Sequence, residues 1–266
     1  MANRFGEKVV IVTGAGSVGD GIGNGKAAAL LYAREGAKVV LVDCNLSSAE
    51  ETASLIEKEG GTCFPHEADV GRGEACRGIV EACVNRYGHL DILHNNVGIE
   101  IPGGLSETSE EDWGRVMDVN LKSMFLLSKF AVPELIRHGG GAIVNISSIN
   151  AIRTLPALSL SYAVSKAGVI ALTREIAVEY ADRGIRANAV LPGMMNTPFV
   201  TAALTDAWGG DAMDMMRQRD AMCPTGRQGE SWDVAHVSAF LASDEAKYVN
   251  GAAVVVDGAQ TARIMS

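Results

Sequence analysis

Short apolar runs rich in β-branched residues alternate with longer segments of helical periodicity along the whole chain. Runs such as Val9-Val10-Ile11-Val12 lack polar alternation, which is typical of strands covered on both faces of a parallel sheet. Strands are predicted at residues 8–13, 38–42, 62–68, 91–94, 142–147, 186–191 and 253–256. Helices are predicted at residues 23–35, 47–59, 72–87, 120–137, 162–181 and 232–243, the second one from a capping box in Ser47-Ser48-Ala49-Glu50. This alternation predicts a single-domain α/β fold of the Rossmann-like, doubly wound kind, with about seven parallel strands and helices on both faces.

The length of 266 residues and the hydrophobic content of 47% are sufficient for one large domain over residues 1–266. The net charge is −9 and no run of Lys or Arg forms a basic stripe, so we expect neither nucleic acid nor an anionic membrane as a partner. No apolar run is long enough to cross a bilayer, and the N-terminus leads straight into the first predicted strand without the apolar core of a signal peptide. These features predict a cytoplasmic protein.

The five cysteines and five histidines form no recognisable motif. The cysteines lack C-x-x-C spacing and are expected to be reduced thiols, although Cys76 and Cys83 lie seven positions apart in a helical pattern that would suit a packed pair. The histidines are scattered, with no H-x-x-x-H spacing and no His/Cys cluster, so no metal site is predicted.

Tyr162 and Lys166 stand four residues apart within a segment of helical periodicity. On a helix this spacing places both side chains on one face. A free tyrosine has a pKa of about 10, and lowering it to about 7 takes roughly 4 kcal/mol. One positive charge ~4 Å away supplies that amount at an effective dielectric of about 20, so the pair could act as a general acid and base near neutral pH. The spacing alone also allows a packed tyrosine with a solvated lysine one turn further on.

A glycine-rich segment, Thr13-Gly-Ala-Gly-Ser-Val-Gly-Asp-Gly-Ile-Gly23, joins the first predicted strand to the first predicted helix. Such a turn lets the backbone approach a pyrophosphate and points the helix N-terminus at it. Asp43 ends the second strand, twenty residues beyond Gly23, where a carboxylate would accept hydrogen bonds from the ribose hydroxyls of adenosine. An acidic side chain would repel a 2′-phosphate, so NAD is predicted as the cofactor in preference to NADP. The alternative for Asp43 is a helix-capping or turn aspartate.

Further short motifs follow the glycine turn in order. They are Ala68-Asp69-Val70, Asn95-Asn96-Val97-Gly98, Asn120, Ile146-Ser147-Ser148, Pro192-Gly193 with Thr197, Tyr248-Val-Asn-Gly251 and Val256-Asp257-Gly258. Together with Thr13-Gly14, Gly21-Ile22-Gly23 and the Tyr162/Lys166 pair, they resemble the short-chain dehydrogenase/reductase family over essentially the whole chain. The sequence departs from the family pattern by three extra residues in the glycine turn. Ser148 also precedes Tyr162 by fourteen positions, one more than expected.

The resemblance implies a catalytic set of Ser148, Tyr162, Lys166 and Asn120. Tyr162 would exchange a proton with the alcohol, while Lys166 would hold it anionic and bind the nicotinamide ribose. Ser148 would hydrogen-bond the substrate oxygen, and Asn120 would connect Lys166 to solvent through water. The implied cofactor-binding residues are Gly14, Gly21, Ile22, Gly23, Asp43, Asp69, Val70, Asn96, Gly98, Tyr162, Lys166, Pro192, Gly193 and Thr197. Two alternatives stay open, namely Ser147 in place of Ser148 and an Asn120 that only bends or caps a helix.

Substrate specificity is expected to lie in residues 149–159, 100–104 and 194–222, because sites in this fold form beyond the carboxyl ends of the strands. The last segment is methionine-rich and resembles the family's lid, predicted at residues 194–225. The candidate substrate contacts are Asn150, Arg153 and Met194, and Glu100 is a further charged residue expected near the pocket.

The predicted function is that of an NAD-dependent oxidoreductase, which transfers a hydride between NAD(H) and a small polar secondary alcohol or ketone of the sugar, polyol or cyclic diol type. A 3-oxoacyl or other ketone reductase that uses NADPH is the alternative within the same class. A non-catalytic NAD(H)-sensing protein and a purely structural subunit are the alternatives from other classes. The apolar stripes at residues 120–137 and 162–181 exceed what one sheet face needs, and with the family resemblance they predict a homotetramer.

Overall fold

The computed structural model describes residues 3–154 and 159–263, and within them seven strands form one parallel sheet. The strands are β1 Val9–Thr13, β2 Lys38–Asp43, β3 Thr62–Glu67, β4 Ile92–Asn95, β5 Gly141–Ile146, β6 Ile185–Pro192 and β7 Ala253–Val256. Their order across the sheet is β3-β2-β1-β4-β5-β6-β7, and all neighbouring strands run parallel. The order reverses between β1 and β4, which is the switch point where sites form in doubly wound folds. The predicted fold class is confirmed.

Helices cover both faces of this sheet. They are α1 Asn24–Arg34, α2 Leu46–Lys58, α3 Gly73–Tyr87, α4 Glu110–Met117, α5 Ser123–Arg137, α6 Leu160–Glu179, α7 Pro198–Leu204, α8 Ala212–Met222 and α9 Ser231–Ala242. A π-helical turn at Asp118–Lys122 joins α4 to α5. Among the helices of residues 3–154 and 159–263, none is long and apolar enough to span a membrane.

The residues of each central strand alternate between two hydrophobic cores. In β1, Val10 and Val12 pack with α1 and α9 on one face, whereas Val9 and Ile11 pack with α3 and α5 on the other. All four side chains are fully buried. Each contributes about 1.5–3 kcal/mol relative to an exposed position, which explains why the run carries no polar residue. The carboxyl ends of the strands are therefore held on a rigid frame.

The sequence pattern does not predict α4, α7 and α8. Among the residues of α4, Val116 alone is fully buried, so this helix carries too little apolar periodicity to be recognised. The other two helices lie within the predicted lid and pack around the buried Met215. The predicted capping box is wrong, because α2 begins at Leu46 and the Asn45 side chain caps it by accepting a hydrogen bond from the Ser48 N–H at 3.4 Å.

The five cysteines are free thiols. Cys76 and Cys83 are both buried on α3, where their thiols donate hydrogen bonds to the carbonyls of Val70 and His89. Burial raises the pKa of Cys76 to about 11 and that of Cys83 to about 12, so both stay protonated near neutral pH. They serve as core residues.

His89 and His138 come together although they are far apart in the sequence. Their rings stack with centroids 4.1 Å apart, and both face the buried carboxylate of Asp91. The expectation that the histidines form no cluster is therefore wrong. The Lys8 ammonium lies 3.3 Å from the same carboxylate, and the Val9 N–H donates to it at 2.8 Å. His89, Asp91 and His138 thus form one polar cluster beside β4, and the absence of a metal ion stays a prediction.

Candidate active site

One cleft of about 1000 Å³ opens beyond the carboxyl ends of β1, β2, β4, β5 and β6. The predicted site residues that line it are Gly14, Gly23, Asp43, Asp69, Val70, Asn96, Gly98, Ser148, Asn150, Tyr162, Lys166, Pro192, Gly193, Met194 and Thr197. Four predicted site residues, Gly21, Ile22, Asn120 and Arg153, lie outside the lining. The cleft thus joins the glycine turn at one end to the Tyr162/Lys166 pair at the other.

The glycine turn brings β1 and α1 into close contact. Gly14 adopts a φ of +65°, and a Cβ on Gly25 would overlap the Gly14 carbonyl oxygen. Side chains are therefore excluded at both positions. Gly23 stands at the N-cap position of α1 and offers no side-chain cap, so the first N–H groups of the helix remain available at the cleft. Those groups and the positive end of the helix dipole favour an anion here.

The extra residues of the glycine turn lie along the cleft. Residues 16–19 line it, and the Ser17 hydroxyl accepts a hydrogen bond from the Gly23 N–H at 2.9 Å, which closes the loop. Gly21 lies outside the lining, and Ile22 packs against the hydrophobic core. Residues 16–19 therefore line the cleft whereas Gly21 and Ile22 do not, and the cofactor contacts of Gly21 and Ile22 stay a prediction.

Asp43 lies on the cleft wall at the end of β2. One carboxylate oxygen accepts a hydrogen bond from the Gly16 N–H at 3.0 Å, and the other accepts one from the Asn45 N–H at 3.0 Å. Each carboxylate oxygen can accept a second hydrogen bond. Asp43 is thus a turn aspartate, as the alternative expected, and its carboxylate still has acceptor capacity toward the cleft.

Two glycines shape the deeper part of the cleft. A Cβ on Gly98 would lie 3.0 Å from the Lys166 Nζ, so the missing side chain leaves space beside the ammonium. A Cβ on Gly193 would overlap the Gln260 side chain, whose oxygen accepts a hydrogen bond from the Met194 N–H at 2.8 Å. The C-terminal segment therefore holds the end of β6 in place.

Ser148, at the end of β5, meets Tyr162 and Lys166 of α6 in the cleft. The Lys166 Nζ donates a hydrogen bond to the Ile146 carbonyl at 2.9 Å and lies 5.6 Å from the centroid of the Tyr162 ring. The Ser148 hydroxyl interacts with the Tyr162 phenol and accepts a hydrogen bond from the Asn150 N–H at 3.2 Å. Hydroxyl, phenol and ammonium are thus within reach of one small ligand.

Burial has the largest effect on the pKa values of Tyr162 and Lys166. It raises the pKa of Tyr162 above its ordinary value, and the Glu100 carboxylate raises it further, while the Ser148 hydroxyl lowers it. Burial lowers the pKa of Lys166 to about 8, and Glu100 opposes that shift. The expected lowering of the Tyr162 pKa toward 7 by Lys166 is not found, because desolvation of the phenolate is the largest effect on this pKa. Tyr162 is a neutral phenol near neutral pH.

Ser147 and Asn120 hold the surrounding frame. Ser147 and Ser148 both line the cleft, but the Ser147 hydroxyl donates its proton to the Lys166 carbonyl at 2.7 Å, which favours Ser148 as the serine that binds a ligand. Asn120 is fully buried in the π-helical turn, where its carboxamide binds the Ile99 N–H at 2.8 Å and the Ile99 carbonyl at 2.9 Å. Asn120 therefore sits at a helix distortion, as the alternative expected.

The predicted substrate contacts separate into two groups. Asn150 and Met194 line the cleft, and the Asn150 Oδ1 is buried without a hydrogen-bond partner among residues 3–154 and 159–263. Arg153 is exposed, and its guanidinium donates to the carbonyls of Ile152 and Thr261 on the surface. Arg153 therefore lies outside the cleft lining, and its contact with the substrate stays a prediction. Residues 155–158 of the predicted specificity segment lie outside the described residues.

Several cleft residues come from elements that the sequence pattern does not predict, and two of them carry polar groups on a large side chain. Trp208 and Arg219, from the segment around α7 and α8, both line the cleft. Arg219 is buried, and its Nε donates to the Gln228 side chain at 2.7 Å. The Trp208 Nε1 is buried and has no partner within the described part of the chain. Both lie in the predicted specificity segment 194–222, but no motif or periodicity marks these two positions, so the tertiary structure identifies them individually.

Known proteins resemble this chain over nearly its full length. A family model described as enoyl-(acyl carrier protein) reductase matches residues 18–261. A cyclohexanol dehydrogenase from an Acinetobacter species is 40% identical over 265 residues, which cover 99% of this chain and 98% of that protein. The chain belongs to the short-chain dehydrogenase/reductase family.

Other members of the short-chain dehydrogenase/reductase family agree with the assignment. The 2,5-dichloro-2,5-cyclohexadiene-1,4-diol dehydrogenase LinX from Sphingobium indicum is 39% identical over 259 residues, covering 97% of this chain and 98% of that protein. The solved structure of levodione reductase matches with a TM-score of 0.93 at 33% identity, covering 98% of this chain and 100% of that one. The predicted family is confirmed, and the protein is an oxidoreductase.

Proposed function

We propose that this short-chain dehydrogenase/reductase oxidises a small polar secondary alcohol with NAD and catalyses the reverse reduction of the matching ketone. The observation that carries the proposal is the meeting of Ser148, Tyr162 and Lys166 at one end of a cleft that has the glycine turn and Asp43 at the other. A dinucleotide can span these two ends. The arrangement supports a catalyst rather than a sensor or a structural subunit, because both proton-handling residues are present.

The residues of the cleft fit a nicotinamide dinucleotide. The uncapped N-terminus of α1 suits a pyrophosphate, and the Asp43 carboxylate suits the hydroxyls of the adenosine ribose. The space that Gly98 leaves beside Lys166 suits the second ribose. When bound, the nicotinamide supplies hydride transfer, and the protein supplies orientation and proton exchange. We assign Asp69, Val70, Asn96 and Thr197, which line the cleft, to the same cofactor.

The chain's own residues handle the proton. Tyr162 gives a proton to the carbonyl oxygen in reduction and removes one from the hydroxyl in oxidation. Ser148 binds the same oxygen and holds it against the phenol. The Lys166 ammonium stabilises the phenolate form when it arises, and we retain Asn120 as the link between Lys166 and solvent water as a prediction.

Ring alcohols are the substrate class that we favour. The named relatives act on cyclohexanol and on a chlorinated cyclohexadiene diol, and their names support a cyclic secondary alcohol here. Met194 and Trp208 contribute apolar surface to the cleft, whereas Asn150 contributes a carbonyl oxygen. We further propose that the segment at residues 194–225 acts as a lid and that the protein assembles as a homotetramer in the cytoplasm.

Alcohol oxidation is expected to accelerate as the pH rises. Because the pKa of Tyr162 is raised, the phenolate that accepts the proton is a small fraction near neutral pH and grows about tenfold per pH unit below that pKa. The value of kcat/KM for oxidation should therefore increase from pH 6 to 7.5, where Lys166 with its pKa of about 8 is still mostly charged. The value for ketone reduction, which uses the neutral phenol, should stay flat over the same range. Steady-state rates of oxidation and reduction across this pH range measure this dependence. An oxidation rate that does not change with pH contradicts the prediction.

Replacing Ser148 by alanine is expected to lower kcat/KM about 100-fold, because the substrate oxygen loses a hydrogen bond that strengthens in the transition state. Ser147→Ala is the matched control. It removes the bond to the Lys166 carbonyl, so it should lower the free energy of unfolding by about 1 kcal/mol and affect turnover less. Rates and thermal melts of both variants measure this split. If Ser147→Ala lost more turnover than Ser148→Ala, Ser147 rather than Ser148 would be the serine that binds the substrate oxygen.

A substrate screen tests the proposed function directly. Purified protein is incubated with NAD or NADP and a panel of sugars, polyols, cyclohexanols, cyclic diols and acyclic diols, and reduced cofactor is read by absorbance. We expect turnover of cyclic alcohols with NAD. Turnover of 3-oxoacyl thioesters with a preference for NADPH would instead support the ketone reductase. Cofactor binding without any turnover would support the sensing protein.

A further inference from the structure

Glu100 is a cleft residue with no part in the proton exchange described above. It follows β4, and the backbone on both sides of it is anchored. The Ile99 N–H and carbonyl bind Asn120 at 2.8 and 2.9 Å, and the Gly103 carbonyl accepts a hydrogen bond from the Leu160 N–H at 3.0 Å. The carboxylate is therefore carried on a segment whose position is set by the start of α6 and by the buried asparagine.

Two cations influence Glu100, and each donates a hydrogen bond to another group. Burial raises the pKa of Glu100, whereas Ser159, Arg219 and Lys166 lower it. Arg219 donates its Nε to Gln228 at 2.7 Å, and Lys166 donates to a backbone carbonyl at 2.9 Å. Within residues 3–154 and 159–263, neither cation forms an ion pair with Glu100. The carboxylate thus keeps acceptor capacity in the cleft.

A second acceptor faces the same space. The Asn150 Oδ1 is buried without a hydrogen-bond partner in the described residues, and Asn150 lines the cleft beside Ser148. A buried acceptor without a partner costs free energy, so the Asn150 Oδ1 calls for a group that donates. The half-buried Glu100 carboxylate, which lines the same cleft, can accept from such a group as well. One hydroxyl of a substrate is already assigned to Tyr162 and Ser148. The remaining acceptors therefore call for a further donor on the substrate.

We propose that Glu100 accepts a hydrogen bond from a second hydroxyl of the substrate and thereby selects diols over the matching mono-alcohols. The proposal rests on the proposed function, since Tyr162 must act on the first hydroxyl. A carboxylate accepts a charge-assisted hydrogen bond, which is stronger than a neutral one. A mono-alcohol would leave the half-buried carboxylate and the buried Asn150 Oδ1 without this donor, and such a loss discriminates between otherwise similar substrates.

Another role for Glu100 would be purely electrostatic. Its charge raises the pKa of both Tyr162 and Lys166, so its removal would change the pH dependence of turnover. That effect acts on the shared proton-exchange step and is the same for a diol and a mono-alcohol. The ratio of kcat/KM values for the two substrates therefore isolates the hydrogen bond from the electrostatic effect.

The test compares wild type, Glu100→Gln and the control Glu81→Gln, which removes a charge from an exposed position of α3 outside the cleft. Each is assayed with cyclohexanol and with the isomers of cyclohexane-1,2-diol and cyclohexane-1,4-diol, using NAD.

For at least one diol isomer, wild type should show a kcat/KM at least about 10-fold above that for cyclohexanol. Glu100→Gln should lose about 10- to 100-fold on that diol and no more than about 3-fold on cyclohexanol. Glu81→Gln should match wild type on both.

Equal losses of Glu100→Gln on the diol and on cyclohexanol overturn the proposal, as does a wild type that favours none of the diols. A wild type that binds NADH but oxidises no alcohol with either cofactor overturns the proposed function and the inference together. NADH fluorescence titration and thermal melting of every variant separate these results from misfolding.

If Glu100→Gln does not fold, Glu100→Asp retains the charge and shortens the side chain. That variant should lose diol preference while its activity on cyclohexanol persists, and unchanged diol preference would overturn the proposal.

Discussion

Replacing Tyr162 by phenylalanine is expected to lower kcat about 1000-fold or more, because general acid–base catalysis contributes typically about 10²- to 10⁴-fold. Phenylalanine retains the aromatic ring in its buried position and removes only the hydroxyl that exchanges the proton. NADH binding should therefore persist, since the groups that line the cofactor end of the cleft are unchanged. Steady-state turnover measures the loss of kcat, and a fluorescence titration with NADH on the same preparation measures the retained cofactor binding.

Tyr248→Phe is the matched control for this variant. The Tyr248 side chain is 99% exposed and lies outside the cleft, so its hydroxyl has no access to the substrate. Its variant should retain wild-type turnover and wild-type NADH affinity. Turnover of Tyr162→Phe within about tenfold of wild type, measured over a broad alcohol panel, would contradict the assignment of Tyr162 as the proton-exchanging residue.

Replacing Asp43 by asparagine is expected to reduce the preference for NAD over NADP about 100-fold. Asparagine is close in size to aspartate, but it has no charge. The loss of a charge-assisted hydrogen bond to the ribose should lower kcat/KM with NAD about 10-fold. Relief of the repulsion between the carboxylate and a 2′-phosphate should raise kcat/KM with NADP about 10-fold. Because the second effect is electrostatic, it should shrink as the salt concentration increases.

Initial rates with both cofactors, at low and high salt, measure this change. Asp182→Asn serves as the control, since the Asp182 side chain is 76% exposed on the surface and lies outside the cleft. It should leave the cofactor ratio unchanged. A wild-type enzyme that uses NADP as efficiently as NAD would contradict the cofactor proposal, and so would an Asp43→Asn variant with an unaltered ratio.

The strands could be predicted from the sequence because each buries both faces, so that their residues are apolar without interruption. Every predicted strand is found, with ends that differ by about one residue. Helices of the central frame such as α2 and α3 are found for a similar reason, since each carries an apolar face. α4 and α8 escape prediction because few of their side chains are buried, namely Val116 in α4 and Met215 and Arg219 in α8.

The site could be predicted in part for a related reason. Asp43, Ser148 and Pro192 stand at or next to strand ends, so an accurate strand assignment places them at the edge of the sheet. Gly21 and Arg153 are exceptions. The extra residues of the glycine turn, rather than Gly21, occupy the cleft, and surface carbonyls hold Arg153 away from it. Such loop paths depend on contacts between distant segments, which local patterns do not encode.

The sequence by itself determined the order of strands and helices, the family, and the pairing of Tyr162 with Lys166 on one helix, because these depend on local periodicity and on motifs at strand ends. Only the tertiary structure decided the ionisation of that pair, since the pKa of Tyr162 depends on how deeply it is buried and on Glu100, which lies 62 positions away along the chain. The tertiary structure also showed that Arg219 lines the cleft and that His89 and His138 stack on each other. Burial and electrostatic interactions act through space, and residues that are distant in the chain set them.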